Sequence, residues 1–137
     1  MSTCTSETTS KVFVYGSLMK NCYNHDYYLQ GKEFLGQGVL TGYALYELGS
    51  YPGIIPDREG KVRGEVYAID SRTLARLDAL EGNGSLYMRE TSAVMLGDEK
   101  VMAEIYVWNG QVDQSARIYF TDQPWGAKMN LGGRQYE

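Results

Sequence analysis

The stretch KVFVYGSLMK, residues 11–20, runs an apolar segment straight into Gly-Ser and stops. Val12 and Val14 alternate with Phe13 and Tyr15, the pattern of a short buried strand. Gly16 has no Cβ, so it tolerates backbone geometry that other residues resist and lets a second group come close. A turn at this point leaves the amides of Gly16, Ser17 and Leu18 without strand partners. Backbone N–H groups clustered in this way form a concavity suited to an anion or a polarised carbonyl. The plain alternative is an ordinary strand end.

Outward from this stretch the chain reads mostly as strands. Residues 1–10, MSTCTSETTS, are Ser/Thr-rich and read as a disordered tail. Residues 34–48 form one or two extended segments punctuated by glycine. Residues 49–60, GSYPGIIPDREG, read as a loop, because two prolines and three glycines break regular structure. Residues 61–69 alternate Val62, Gly64, Val66 and Ala68 against Arg63, Glu65, Tyr67 and Ile69, a strand with two unlike faces. YMRETSAVML and KVMAEIYVW read as a hairpin around residues 97–99. QSARIYF reads as a helical turn, and residues 126–137 as a loose C-terminal tail. With no internal repeat or linker, residues 11–125 form a single α+β domain, a small β-barrel or strongly curved sheet.

One helix stands out, DSRTLARLDALEG, residues 70–82. Asp70 or Ser71 offers an N-cap, and Gly82 is the residue type that follows a helix end. At about 100° per residue, Leu80, Leu77 and Leu74 span an arc of about 120°, the core-facing stripe. Glu81 falls inside that arc, so the helix aims a carboxylate inward. Burial and the negative end of the helix dipole both disfavour its charged form, which raises its pKa towards the range of a general acid/base. The competing reading is a frayed helix end whose Glu81 bends to solvent or pairs with Arg89 or Arg63.

Composition narrows the function classes. The chain has 137 residues, 43% hydrophobic and 22% charged, as expected of a globular domain. Thirteen Lys and Arg against seventeen Asp and Glu give a net charge of −4 without a basic cluster, which argues against nucleic acid and anionic membrane as partners. No apolar run reaches the roughly 18–20 residues of a membrane span, and the N-terminus has no signal core, so the expected location is cytoplasmic. Two cysteines, one in the tail, give no disulfide framework.

Taken in order, YGSL (15–18), YPGIIP (51–56), LDALEG (77–82) and LYMR (86–89) resemble the gamma-glutamylcyclotransferase family, especially its short gamma-glutamylamine cyclotransferase type, also called AIG2-like. The resemblance spans about residues 11–108 and leaves residues 110–137 outside it. It implies a small mixed β-barrel flanked by helices. It further implies that the loop Tyr15, Gly16, Ser17, Leu18 binds a gamma-glutamyl group through backbone amides, and that Glu81 is the catalytic acid/base. Tyr87 is a further substrate-binding candidate, on a strand face shared with Arg89. The implied reaction is closure of a gamma-glutamyl amide to 5-oxoproline with release of an amine or amino acid, a transferase or lyase activity needing no metal or other cofactor. The implied partner is that small molecule alone, with the chain a monomer or weak homodimer.

Other constellations are weaker. Cys22 and His25 lie three apart, but His25 is the sole histidine and no third group orients it, so a pair without consequence is the better reading. The same scarcity argues against zinc. Twelve tyrosines without surrounding basic residues read as core and pocket-lining groups rather than a nucleic-acid stacking surface. Tyr51 and Pro52 fit either a pocket rim or a bare turn. Two further functions stay open: a non-catalytic module binding a small ligand or peptide end with the YGSL loop, and a different hydrolase or transferase built on the same loop and Glu81.

Overall fold

Residues 9–22 and 24–126 are described by the computed structural model. Two long strands dominate it, β2 (Glu33–Glu47) and β3 (Pro52–Asp70), paired antiparallel from Glu33 opposite Ala68 to Glu47 opposite Pro52. The register shifts between Phe34 and Gly36 and between Thr41 and Tyr43. Each shift puts a kink and extra twist into the ribbon, which is how so long a pair bends over a core. Gly42 takes φ 91°, a conformation that favours glycine.

The edge of β3 carries β1 (Thr9–Val14), antiparallel along six residues. A hairpin of β4 (Tyr87–Leu96) and β5 (Glu99–Trp108) turns at Gly97 and Asp98. It joins β1 through a parallel bridge of Val12 to Glu104, and β2 through Val39 to Met95. A two-residue β6 (Arg117–Ile118) adds to the outer edge of β2. The strand order is β3-β1-β5-β4-β2-β6, with β2 also bonded to β3, so the sheet curls back on its first strand. Two of the seams are single-residue bridges, which makes this a strongly curved mixed sheet instead of an evenly laddered barrel. Two short helices, α1 (His25–Tyr28) and α2 (Ser71–Glu81), lie outside it.

The core fills the concave side. Val12, Phe13 and Val14 are all buried, together with Leu40, Leu45, Ile54, Val62, Val66 and Ile105. Each such side chain contributes roughly 1.5–3 kcal/mol by leaving water. β1 is covered on both faces, which is why its sequence shows a continuous apolar run.

Two expectations change. The loop expected at residues 49–60 is confined to the short connection before Pro52, since β3 starts there and runs through the rest. The ladder passes from Tyr43–Pro56 to Thr41–Lys61, so residues 57–60 stand out of register and Pro56 sits where a missing N–H is tolerated. Gly60 lies so close to the Tyr43 carbonyl that no Cβ fits. Strand β1 also takes in Thr9 and Ser10, which the sequence assigned to the N-terminal tail. The rest of that tail, and residues 127–137 of the C-terminal one, lie outside the described residues. Among the described residues, no helix is long and apolar enough to cross a membrane.

Candidate active site

Helix α2 forms where capping and apolar spacing coincide. Asp70 Oδ1 accepts a hydrogen bond from the Thr73 amide at 2.8 Å, and Gly82 closes the helix in the left-handed conformation (φ 62°, ψ 47°). The amide of Asn83 then donates back to the Asp78 carbonyl at 2.9 Å, satisfying a helix-end acceptor. Leu77 is fully buried, with Leu74 and Leu80 packed against the core. This fixes the helix rotation and leaves Glu81, the last helical residue, facing a cavity.

That cavity, about 160 Å³, lies between the end of α2 and the loop after β1. Tyr15, Gly16, Ser17, Leu18, Glu81 and Tyr87 all line it, so the structure brings the six sequence-derived candidates to one site. Tyr51 and Pro52 line it as well, which resolves them as rim and not as a bare turn. Among the described residues no Lys, Arg or His does.

The loop is rigidly tied, yet three of its amides stay open. The Met19 amide donates to the Gly16 carbonyl at 3.0 Å, that of Cys22 to Met19 at 2.9 Å, and that of Asn24 to Ser17 at 2.9 Å. Among the described residues, no hydrogen bond uses the amides of Gly16, Ser17 or Leu18. The role of Gly16 differs from the expectation. Its φ lies outside the left-handed region, and the missing side chain instead makes room for Pro52, whose Cγ would sit 2.9 Å from a Cβ there.

Neither predicted escape for Glu81 occurs. Arg89 donates to Asp78 and Glu104, both at 2.8 Å, and Arg63 stacks 3.8 Å over the Phe120 ring. Among the described residues, no hydrogen bond or ion pair engages the Glu81 carboxyl. Burial raises its pKa from the ordinary 4.5 to about 7. Tyr15 is pushed well above the usual phenol value, first by burial and then by the nearby Tyr87 and Glu81.

Two polar lining residues escaped the sequence reading. Asn24 Nδ2 donates to Ser17 Oγ at 2.8 Å and so braces the loop, although the irregular stretch around it gives no periodic signal. Tyr106 reaches the cavity from β5, and only the tertiary fold brings it beside a helix 25 residues upstream in sequence. Cys22 and His25 make no catalytic pair. The thiol pKa is raised, chiefly by burial, and His25 Nδ1 lies 3.0 Å from the Leu18 carbonyl oxygen.

A half-buried carboxyl whose pKa is raised to about 7 thus shares one cavity with a set of open amides. Residues 12–127 match the family model described as gamma-glutamyl cyclotransferase, AIG2-like, and the chain belongs to that family. It is 40% identical over 103 residues to the gamma-glutamylcyclotransferase family protein YtfP of Escherichia coli, covering 75% of this chain and 86% of that one. It is 38% identical over 123 residues to the MJ1514 protein of Methanocaldococcus jannaschii, covering 88% and 92%. The crystal structure of the PH0828 protein of Pyrococcus horikoshii superposes with a TM-score of 0.71 at 27% identity, covering 93% of this chain and 98% of that one. An AIG2-like protein of Mus musculus superposes with a TM-score of 0.70 at 25% identity, covering 81% and 85%.

Proposed function

We propose that the chain is a gamma-glutamyl cyclotransferase, closing a gamma-glutamyl amide to 5-oxoproline and releasing an amine or amino acid. The observation that carries this reading is the Glu81 carboxyl, half-buried, without a hydrogen-bond or ion-pair partner among the described residues, and sharing one cavity with the open amides of residues 16–18. Family membership supports the reaction class.

The chemistry asks little of the protein. The substrate's α-amine is the nucleophile and its γ-carbonyl the electrophile, so proximity is largely built into the substrate. Glu81 as carboxylate takes a proton from the α-ammonium. The freed amine attacks the γ-carbonyl carbon, forming the ring C–N bond and a tetrahedral oxyanion. Glu81, now protonated, gives that proton to the leaving nitrogen as the oxyanion re-forms the carbonyl and the old C–N bond breaks. The carboxylate then takes the second proton from the ring nitrogen, leaving the neutral lactam, and passes it to the released amine, which departs as its ammonium. A pKa near 7 suits both halves of this transfer at neutral pH. The amides of Gly16, Ser17 and Leu18 hold the polar end of the gamma-glutamyl group and fix its conformation. A non-catalytic binding module would use the same amides, but has no use for an unpaired carboxyl.

The test is release of 5-oxoproline from a panel of gamma-glutamyl amines, gamma-glutamyl amino acids and glutathione, by the wild-type chain and by Glu81→Gln. The expected result is turnover of at least one member by the wild type and loss of about 10²-fold or more in the variant. Equal rates for the two proteins would refute the role of Glu81. No turnover across the panel would refute the reaction.

A further inference from the structure

Three phenols face Glu81 across the cavity: Tyr15 at the end of β1, Tyr87 on β4 and Tyr106 on β5. A phenol beside a buried carboxylate ordinarily donates its proton to it, because the alternative leaves a charged acceptor unpaired. None of the three does so here. Tyr15 O–H donates to the Tyr106 carbonyl at 2.7 Å, and Tyr87 O–H to the Pro52 carbonyl at 2.7 Å. Tyr106 O–H donates to Asp78 Oδ1, also at 2.7 Å.

The Tyr106 contact has the most direct geometry. Asp78 lies three residues before Glu81 on α2, hence on the same helix face and one turn back. Tyr106 lines the same cavity as Glu81, and Glu81 is among the charges that act on it. Arg89 donates Nε to the same Oδ1 at 2.8 Å, which holds the Asp78 carboxyl in place. The other arm of Arg89 is fixed on Glu104, which Thr91 also holds at 3.0 Å.

We infer that Asp78, clamped by Arg89, is a positioning residue: it accepts the Tyr106 hydroxyl hydrogen bond and so prevents that hydroxyl from donating to Glu81. The phenol oxygen then offers only lone pairs to the cavity, which suit a substrate ammonium group, and Glu81 stays free to exchange its proton. The inference rests on the functional reading for its meaning, but its test does not require turnover.

The experiment is carbon-13 NMR titration of the Glu81 side-chain carboxyl in the full chain, with the resonance assigned by its loss in Glu81→Gln. The titration in Tyr106→Phe should match that of the wild type, since the hydroxyl does not donate to Glu81. In Asp78→Ala the released hydroxyl turns to Glu81, and the midpoint should fall by roughly one pH unit or more. The double variant Asp78→Ala/Tyr106→Phe should return to the wild-type midpoint. An unmoved Asp78→Ala overturns the inference. So does a fall that persists in the double variant, because the lost Asp78 charge or a freed Arg89 would then be its cause. Should Asp78→Ala fail to fold, Tyr106→Phe alone decides, since a midpoint that rises without the hydroxyl means it was already bonded to Glu81. The expected NMR pattern in a chain that releases no 5-oxoproline would overturn the functional reading and leave this inference standing.

Discussion

Replacing Glu81 by Gln tests the inward carboxyl through folding alone. Its pKa is about 7 in the folded chain against the ordinary 4.5, so between those values the native state holds a proton that the unfolded chain has released. Stability changes with pH in proportion to the protons bound by the unfolded state minus those bound by the native state. That difference is negative in this window, so stability falls as pH rises through it. Below the lower value both states are protonated and there is no penalty. Above the upper value the penalty is complete. The full interval corresponds to about 3 kcal/mol. Because the carboxyl opens onto a cavity, water screening lowers the expectation to about 2 kcal/mol. Gln has nearly the same shape and no charge, so Glu81→Gln should match the wild type near pH 4 and exceed it by about 2 kcal/mol at pH 8. Urea unfolding of both proteins from pH 4 to 8, compared at constant m-value, measures the gap directly. The wild-type kcat/KM should show an acidic limb near pH 7, where Glu81 must ionise to accept the ammonium proton. A stability gap that stays flat across the range would mean that Glu81 titrates as a surface carboxylate, and the acid/base argument would collapse.

Other substitutions probe the loop and the strand behind it. Gly16→Val places a branched side chain against the Pro52 ring and should shift the open amides, lowering kcat/KM by about 10²-fold while circular dichroism stays native; unchanged kinetics would show that the loop does not hold substrate. Ser17→Ala removes the acceptor for Asn24 Nδ2 and should cost about 1 kcal/mol of stability and raise KM modestly with kcat retained. If kcat vanished with substrate binding intact, Ser17 would be a nucleophile and the intramolecular mechanism would be wrong. Gly60→Ala drives a methyl into the Tyr43 carbonyl and should lower stability by about 1–3 kcal/mol in a thermal melt; a neutral effect would contradict the close approach of Gly60 to the Tyr43 backbone.

What could be read from the sequence was local. The N-cap at Asp70, the leucine stripe and Gly82 all act within one helix, so the direction of Glu81 followed from helical geometry before any tertiary contact was known. The β4–β5 hairpin was legible for the same reason. Residues 49–60 misled because proline and glycine are local breakers, whereas their use here is tertiary. Pro52 opens a strand and closes over Gly16, and Gly60 lets two backbones touch. Tyr106 and Asn24 were invisible because only the curl of the sheet brings β5 and the segment before α1 to one cavity. The alternation of residues 61–69 placed Glu65 on one of two unlike faces but gave no sign of its burial; it is 9% exposed.

Glu65 also explains how the loop can leave three amides open without falling apart. Its Oε1 accepts the Lys20 amide at 2.8 Å and the Tyr67 hydroxyl at 2.9 Å, so a buried acceptor anchors the far end of the turn that begins at Gly16. The internal bonds from Met19, Cys22 and Asn24 satisfy the amides in between. Ordering a loop costs about 1–2 kcal/mol per residue, and these bonds offset that cost before any ligand arrives. The remaining open donors are therefore already oriented when a carbonyl or carboxylate reaches them, which makes them more effective than the same amides in a mobile segment. The two inward carboxyls thus divide the work by their partners. Glu65 is held by donors and builds the loop, whereas Glu81 is left without them and faces it. Giving Glu81 a donor of its own would stabilise the fold and lower its pKa, and would remove the property on which the proposed proton transfer depends.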